Sequence, residues 1–470
     1  MHCAPPAKAL ARGSVLLALI GAAACSPPRA RRAPPAAARP ADVASPRADA
    51  ADEGAPTSQD PDGNDDHEEI GVGALPPAMV AVSVGRAPGG LHRICDLTAF
   101  HGSLYTAGAD EPLNRDGAVV GRYTPGADAP WSVAFNWNRP GQPTRGGGGG
   151  QGFLRVRAVG DRLYVPDTDP PYNGFGVSET GTEGYVFASD REGRFATPRG
   201  PTLRVPGPPD EAGYFGAGVV PRAYHVIDVA RFRGALYAST GSVPPRERAW
   251  EGPMPGALHR ADARGRRWTY AVDYPRPWRP GVWRLTYLTR FRGALYAGIQ
   301  DNDGRERYDY VRIAPPPDAR EVAQEHVEAF RHPESGGGSL TLRWYTDRGR
   351  LFWITYERHG VIALRVSDDG LRWRDVALPD EAGWPTDVTR FRDGLVVLAT
   401  GGLYRLAEPP DGAPATRLAT TPPREVQAFD ASNGYCTAPL AVLDDRLYAG
   451  SQREGRLYRF DPAPRDDPAR

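Results

Sequence analysis

A short turn followed by an apolar strand recurs seven times along this chain, and that recurrence restricts the fold more than any single residue does. The copies read FHGSLYTAG (Phe100 to Gly108), VGDRLYVPD (Val159 to Asp167), FRGALYAST (Phe232 to Thr240), FRGALYAGI (Phe291 to Ile299), TDRGRLFWIT (Thr346 to Thr355), FRDGLVVLA (Phe391 to Ala399) and LDDRLYAGS (Leu443 to Ser451). Their anchor leucines are Leu104, Leu163, Leu236, Leu295, Leu351, Leu395 and Leu447, with steps between 44 (Leu351 to Leu395) and 73 residues (Leu163 to Leu236). A spacing of this size points to one supersecondary unit per copy. The units stack because none can bury its apolar faces alone.

The third copy displays the whole unit. Asp228–Phe232 alternates as a strand, Arg233-Gly234 turns, and Ala235–Ala238 is a second strand; Gly256–Arg260 is a third, Ala263–Gly265 turns, and Arg267–Val272 is a fourth. The second half recurs at Gly184–Phe195, Gly360–Trp373, Gly401–Gly412 and Gly455–Pro462. Four antiparallel strands per copy predict an all-β chain, a seven-bladed β-propeller over residues 78–463. The last copy lacks a fourth strand after Pro462, whereas Met79–Val84 reads as a strand before the first copy. That N-terminal strand is therefore expected to complete the last blade and close the ring.

The first residues carry Lys8 and Arg12, then an apolar run from Val15 to Ile20, then small residues up to Cys25. This is the layout of a secretory signal over residues 1–25, and its apolar stretch is too short to span a bilayer. Ala22-Ala23-Ala24-Cys25 resembles a bacterial lipoprotein cleavage box, with Ala where Leu is usual three residues before the cysteine. The resemblance implies a lipidated Cys25, contact with a membrane through that lipid only, and, from Ser26, an outer-membrane address. Ordinary secretion with cleavage after a nearby Ala is the alternative, and both readings place the protein outside the cytoplasm. Residues 26–77 are Ala/Pro-rich and then acidic, with almost no aliphatic or aromatic side chains. Such a segment cannot bury enough apolar surface to offset its ordering entropy, so a disordered tether is expected there. A disordered tail is expected over 464–470.

Composition excludes several chemistries. Lys8 is the only lysine, so a mature chain without the signal has no Schiff-base amine and no phosphate-loop lysine. Formal net charge is zero, and no global field favours nucleic acid. Once Cys3 and Cys25 are set aside, Cys95 and Cys436 remain, at the first strands of the first and last copies. In a closed ring those strands are neighbours, and a disulfide there would join the two ends of the ring. The two cysteines precede their anchors Phe100 and Leu443 by five and seven residues, the same parity, so regular strands would aim both side chains alike. Pro439 can break that regularity; otherwise the alternative is two separate buried thiols.

Ser367-Asp368-Asp369-Gly370 with Trp373, Ala261-Asp262 with Gly265 and Trp268, and Ser189-Asp190 with Gly193 and Phe195 resemble degenerate Asp-box hairpins of the sialidase-like, BNR-repeat propellers. In that family the box is a structural hairpin remote from the active site, so the resemblance implies fold and not activity. Kelch propellers are also similar, through Gly401-Gly402.

In a four-stranded blade the second-to-third and blade-to-blade connections emerge on one face, and here they are the long, variable ones, where binding residues normally lie. Asp96, Asp228 and Asp387 share one register, four residues before the Phe anchor, with Arg155 and Tyr287 in two other copies. They make either a polar ring at the channel mouth or a set of carboxylates capping backbone N–H groups, the more economical reading. His225 brings a titratable group to the start of the third copy. Trp250, with Trp131, Trp137, Trp278, Trp283 and Tyr172, is a candidate for stacking on a sugar or a partner's side chain. Asp301 and Asp303, before Gly304, resemble the opening of a calcium loop without its downstream bidentate Glu, so a surface turn competes with a structural Ca²⁺ site. No other cofactor is expected. Three functions fit: a non-enzymatic envelope protein that binds a protein or glycan through its long-loop face, a docking platform of an envelope complex, and a carbohydrate-active hydrolase or lyase. No catalytic residue can be assigned from the sequence.

Overall fold

The computed structural model describes residues 71–109, 118–137, 152–168, 184–195, 218–220, 223, 225–241, 256–262, 265, 267–275, 282–301, 306–319, 321–357, 360–410, 413, 415–420 and 436–464. Tyr172, Trp250, Trp278, Asp303, the signal and lipid positions, residues 26–70 of the expected tether and 465–470 of the expected tail lie outside them. Among the described residues the structure is all-β, without an α-helix.

β1 (Met79–Arg86) precedes a series of antiparallel meanders. β2 (Arg93–Phe100), β3 (Ser103–Ala109), β4 (Val119–Tyr123) and β5 (Trp131–Asn136) form the first, and β6 (Arg157–Val159), β7 (Arg162–Pro166), β8 (Gly184–Ala188) and β9 (Gly218–Val220) the second. β10 (His225–Phe232) to β11 (Ala235–Gly241), β12 (Ala257–Ala261) and β13 (Trp268–Asp273) repeat the order. So do β14 (Val282–Phe291), β15 (Ala294–Asp301), β16 (Tyr310–Ile313) and β17 (Val327–Phe330), then β18 (Leu340–Asp347), β19 (Arg350–Tyr356), β20 (Ile362–Ser367) and β21 (Arg374–Asp375). These last three meanders are joined into one larger sheet by single bridges, Gly241 to Arg284 and Ile299 to Leu340. β22 (Pro385–Phe391), β23 (Gly394–Ala399), β24 (Gly402–Arg405) and β25 (Thr416–Thr420) follow, and β26 (Leu440–Leu443), β27 (Arg446–Gly450) and β28 (Arg456–Pro462) pair with β1. β1 runs antiparallel to β28, from Met79 opposite Pro462 to Ser83 opposite Tyr458.

The apolar cores lie between consecutive meanders. Phe135 and Trp137 of the first pack with Phe153, Tyr185 and Phe187 of the second, and Leu97 and Leu104 of the first pack with Leu443, Tyr448 and Leu457 of the last. First strands also touch in sequence: β2 with β6, β6 with β10, β10 with β14, β14 with β18, β18 with β22, β22 with β26, and β26 with β2.

The repeated F-R-G-x-L-Y unit serves both the hairpin and its neighbour. Arg233 and Gly234 take φ of +49° and +74°, the pair of left-handed residues that a two-residue hairpin needs to match strand twist. Arg233 then donates to the Pro315 and Ala319 carbonyls at 2.8 Å, in the next meander. Those carbonyls belong to a thirteen-residue β16–β17 connection, residues 314–326, where a tight turn is expected from the other copies. The tyrosine packs the same way: a Cβ on Gly370, whose φ is +76°, would stand 2.1 Å from the Tyr296 hydroxyl of the preceding meander. Glycine is required there by close approach and by backbone conformation together.

Candidate functional site: the charged centre

The register shared by Asp96, Asp228 and Asp387 falls midway along the first strands, and in each the ladder slips one residue there: between Ile94 and Asp96, Val226 and Asp228, and Pro385 and Asp387. β18 slips between Thr341 and Arg343. A bulge turns the following side chain out of the ordinary alternation.

The carboxylates meet both backbone and guanidinium donors. Asp96 accepts from the Val156 N–H at 3.1 Å, Asp228 from the Leu288 N–H at 2.9 Å, and Asp387 from the Leu440 N–H at 2.8 Å. Each of these amides belongs to the next meander, one residue past the equivalent register position. Arg155 donates to Asp96 at 2.9 Å, and Arg157 holds Asp228 bidentately at 2.9 and 2.7 Å. Arg343 donates to Asp96 at 2.7 Å and to the Cys95 carbonyl at 2.6 Å, with its Nε 3.7 Å from Asp387. Arg155 also lies over the Tyr287 ring, 3.9 Å from its centroid.

Three carboxylates therefore face three guanidinium groups, and all except Arg157 are buried. Burial pushes the Asp96 and Asp387 carboxyls above the ordinary range, with Arg343 the strongest opposing influence on each. Compensation on this scale is what charges need to stay inside a protein. The arrangement is a set of clips between meanders, with its acceptors occupied by donors of the chain itself.

The other candidates are placed separately. His225 has Nδ1 2.9 Å from the Thr168 carbonyl and Nε2 2.7 Å from Arg284; this fixes a neutral ring donating from Nδ1 and accepting at Nε2. Asp301 accepts from the Glu306 N–H at 2.5 Å. Among the described residues no group of three or more His, Cys, Asp or Glu is arranged to hold a metal ion. Trp137 is fully buried in the core, which removes it from the stacking candidates, and Trp131 donates its indole N–H to the Val84 carbonyl at 3.1 Å. The Cys95 and Cys436 sulfurs are bonded, with Cα atoms 4.6 Å apart. The slip beside Cys95, and a Cys436 that precedes β26 rather than lying in it, undo the parity argument against that pairing.

Arg157, Arg343, Trp384 and Val361 are not marked by the sequence pattern. Arg343 stands eight residues before Leu351, as Asp96 does before Leu104, so counting from the leucine anchor finds it. Trp384 is 46% exposed in the connection before β22, its backbone N–H donating to Thr400 Oγ1 at 2.9 Å. Val361, in the β19–β20 connection on the same face, is also exposed.

No family model matches the chain, and no curated protein matches it. Among solved structures it is similar to PorZ of Porphyromonas gingivalis, an essential surface component of the type-IX secretion system (16% identity over 80% of this chain and 48% of that one, TM-score 0.47). It is also similar to the polysaccharide lyase Uly1 (10% identity, 80% and 91% coverage, TM-score 0.45) and to YCF48 bound to a D1 peptide (14%, 83% and 99%, TM-score 0.41). These are β-propeller-like proteins, and the likeness is one of fold.

Proposed function

We propose that the chain is an exported seven-bladed propeller, closed into a ring by β1, that binds a protein or glycan on its long-loop face and performs no chemistry at its centre. The cycle of contacts between first strands and the pairing of β1 with β28 support the ring. The functional reading rests on one observation above all: Asp96, Asp228 and Asp387 each already accept a backbone N–H from the neighbouring meander. A general acid or nucleophile must instead present its carboxyl to a substrate. Attachment through a lipid on Cys25 would hold the ring at the cell envelope, and the mass of the mature N-terminus tests it.

Binding falls to the segments that differ between copies. Trp384 and Val361 offer exposed apolar surface on that face, and aromatic anchors commonly dominate recognition. Trp250 is the sequence-derived partner for them. The test is a glycan array, and crosslinking in envelope preparations, with the full chain and its Trp384→Ala and Trp250→Ala variants. Loss of a specific adduct or glycan signal in either variant is expected. Binding that survives both substitutions overturns the assignment to this face, and turnover of a bound glycan overturns the non-enzymatic reading.

A further inference from the structure

The chain ahead of β1 is docked. From Gly71 to Pro77 it crosses the hairpin turns of the last two meanders, so the packed chain begins seven residues before the boundary at 78 that composition suggests. The Val72 N–H donates to Asp445 Oδ1 at 2.8 Å and the Leu75 N–H to Asp393 Oδ1 at 2.7 Å. In return the Asp393 N–H donates to the Gly73 carbonyl at 3.2 Å, and Arg392, itself paired with Asp445, to the Ala74 carbonyl at 3.3 Å. Leu75 is buried with Met79, Phe391 and Phe460 and lies against Gly394.

The acceptors are departures from the repeat. Asp393 and Asp445 occupy the turn position held by Gly102, Gly234, Gly293 and Gly349 in four other copies. Asp445 does so at φ +56°, a conformation that favours glycine. The remaining copy has Asp161, which is exposed and pairs with Arg191. The two copies that the segment crosses thus carry a carboxylate where its N–H groups need one.

We propose that Gly71–Pro77 is a latch, with Asp393 and Asp445 as its receptors, that protects β1 from a pull on the N-terminus. β1 is the outermost strand of its sheet, so a load entering at Met79 would peel it from β28 one pair at a time. The latch carries the chain inward, from β1 to Asp445 in the β26–β27 turn, and the load enters beside the innermost hairpin. Forced unfolding depends on the barrier along the loaded path, so moving the point of entry changes resistance without changing the ring. That the long-loop face then points away from a membrane rests on the lipid-anchored reading above; the latch does not.

Native-state hydrogen exchange on the full chain tests it residue by residue. The Val72 and Leu75 amides should exchange well below unprotected rates. In the Asp393→Gly/Asp445→Gly variant, which restores the turn residue of the other copies, both should accelerate roughly tenfold or more while the β11 amides stay protected. Pulling from the N-terminus should release β1 at lower force in that variant. Unprotected Val72 and Leu75 amides in the unsubstituted chain overturn the proposal, as does a double variant that leaves their protection or the release force intact. None of these readouts depends on a lipid or a ligand, so the two readings fail separately.

Discussion

The guanidinium of Arg343 and the carboxylate of Asp96 meet at 2.7 Å although 247 residues separate them in the chain. They do not belong to consecutive meanders: β2 touches β6 and β26, whereas β18 touches β14 and β22. The contact therefore runs across the middle of the structure. Arg343 also approaches Asp387, 3.7 Å away, and donates to the Cys95 carbonyl. One side chain ties together strands from the first, fifth and sixth copies.

Arg343→Met is expected to destabilise the fold by about 3 kcal/mol, because it leaves buried carboxylates short of a partner. The double variant Asp96→Asn/Arg343→Met should recover part of that loss, and urea unfolding of all four members of the cycle measures the coupling. Losses that simply add in the double variant would mean that the two side chains contribute independently, with no direct coupling between them.

Cys95→Ala/Cys436→Ala should lower stability by about 4 to 6 kcal/mol, since the bond closes a loop spanning 341 residues and removes that entropy from the unfolded chain. Unfolding midpoints under non-reducing conditions read the difference. The same variant should keep its native far-UV spectrum, because β1–β28 pairing and the latch still hold the two ends.

Gly370→Ala should cost about 2 kcal/mol or more, by driving a methyl group into the Tyr296 hydroxyl and a side chain into a left-handed conformation. Tyr296→Phe in the same chain removes the nearest atom that the methyl meets and leaves the ring carbon that would stand 2.7 Å from it. Thermal unfolding should show partial recovery, and recovery of nothing would assign the effect to the ring carbon and the left-handed backbone rather than to the hydroxyl.

The parts of the structure written in local chemistry were the legible ones. Alternating apolar residues and left-handed turn pairs marked the hairpins, and the Asp register marked Asp96, Asp228 and Asp387. Arg343 falls outside that register because the fifth copy carries Asp347 where most others have the Phe that defines it. In the structure Asp347 is held by Arg390 at 2.7 Å from the next meander, an ion pair in place of an aromatic contact. Which donors each carboxylate meets depends on bulges and on strands far apart in sequence, and neither leaves a periodic signal. The latch was hidden for a different reason. Seven residues rich in Gly and Pro with one buried leucine look like tether by composition, and only the acids at positions 393 and 445 distinguish them.

His332 supplies a test of the fold's response to pH. It is buried in the connection between β17 and β18, and burial, with Arg365 nearby, holds its pKa below the usual imidazole value. Asp375, Glu357 and Asp309 oppose that shift without cancelling it. The unfolded chain therefore takes up a proton on this ring at a higher pH than the folded chain does. Stability from His332 is complete above the unfolded value, near 6.5, and is lost as pH falls through the folded one. Urea midpoints should thus decline between pH 7.5 and pH 5, with a shallower decline in His332→Gln. Asp96 and Asp387, raised in the folded state, act oppositely: their contribution is lost as pH rises through their folded values. An identical slope in the two proteins would show that the acid response comes from other groups, and a steeper slope in the variant would reverse the sign argued here.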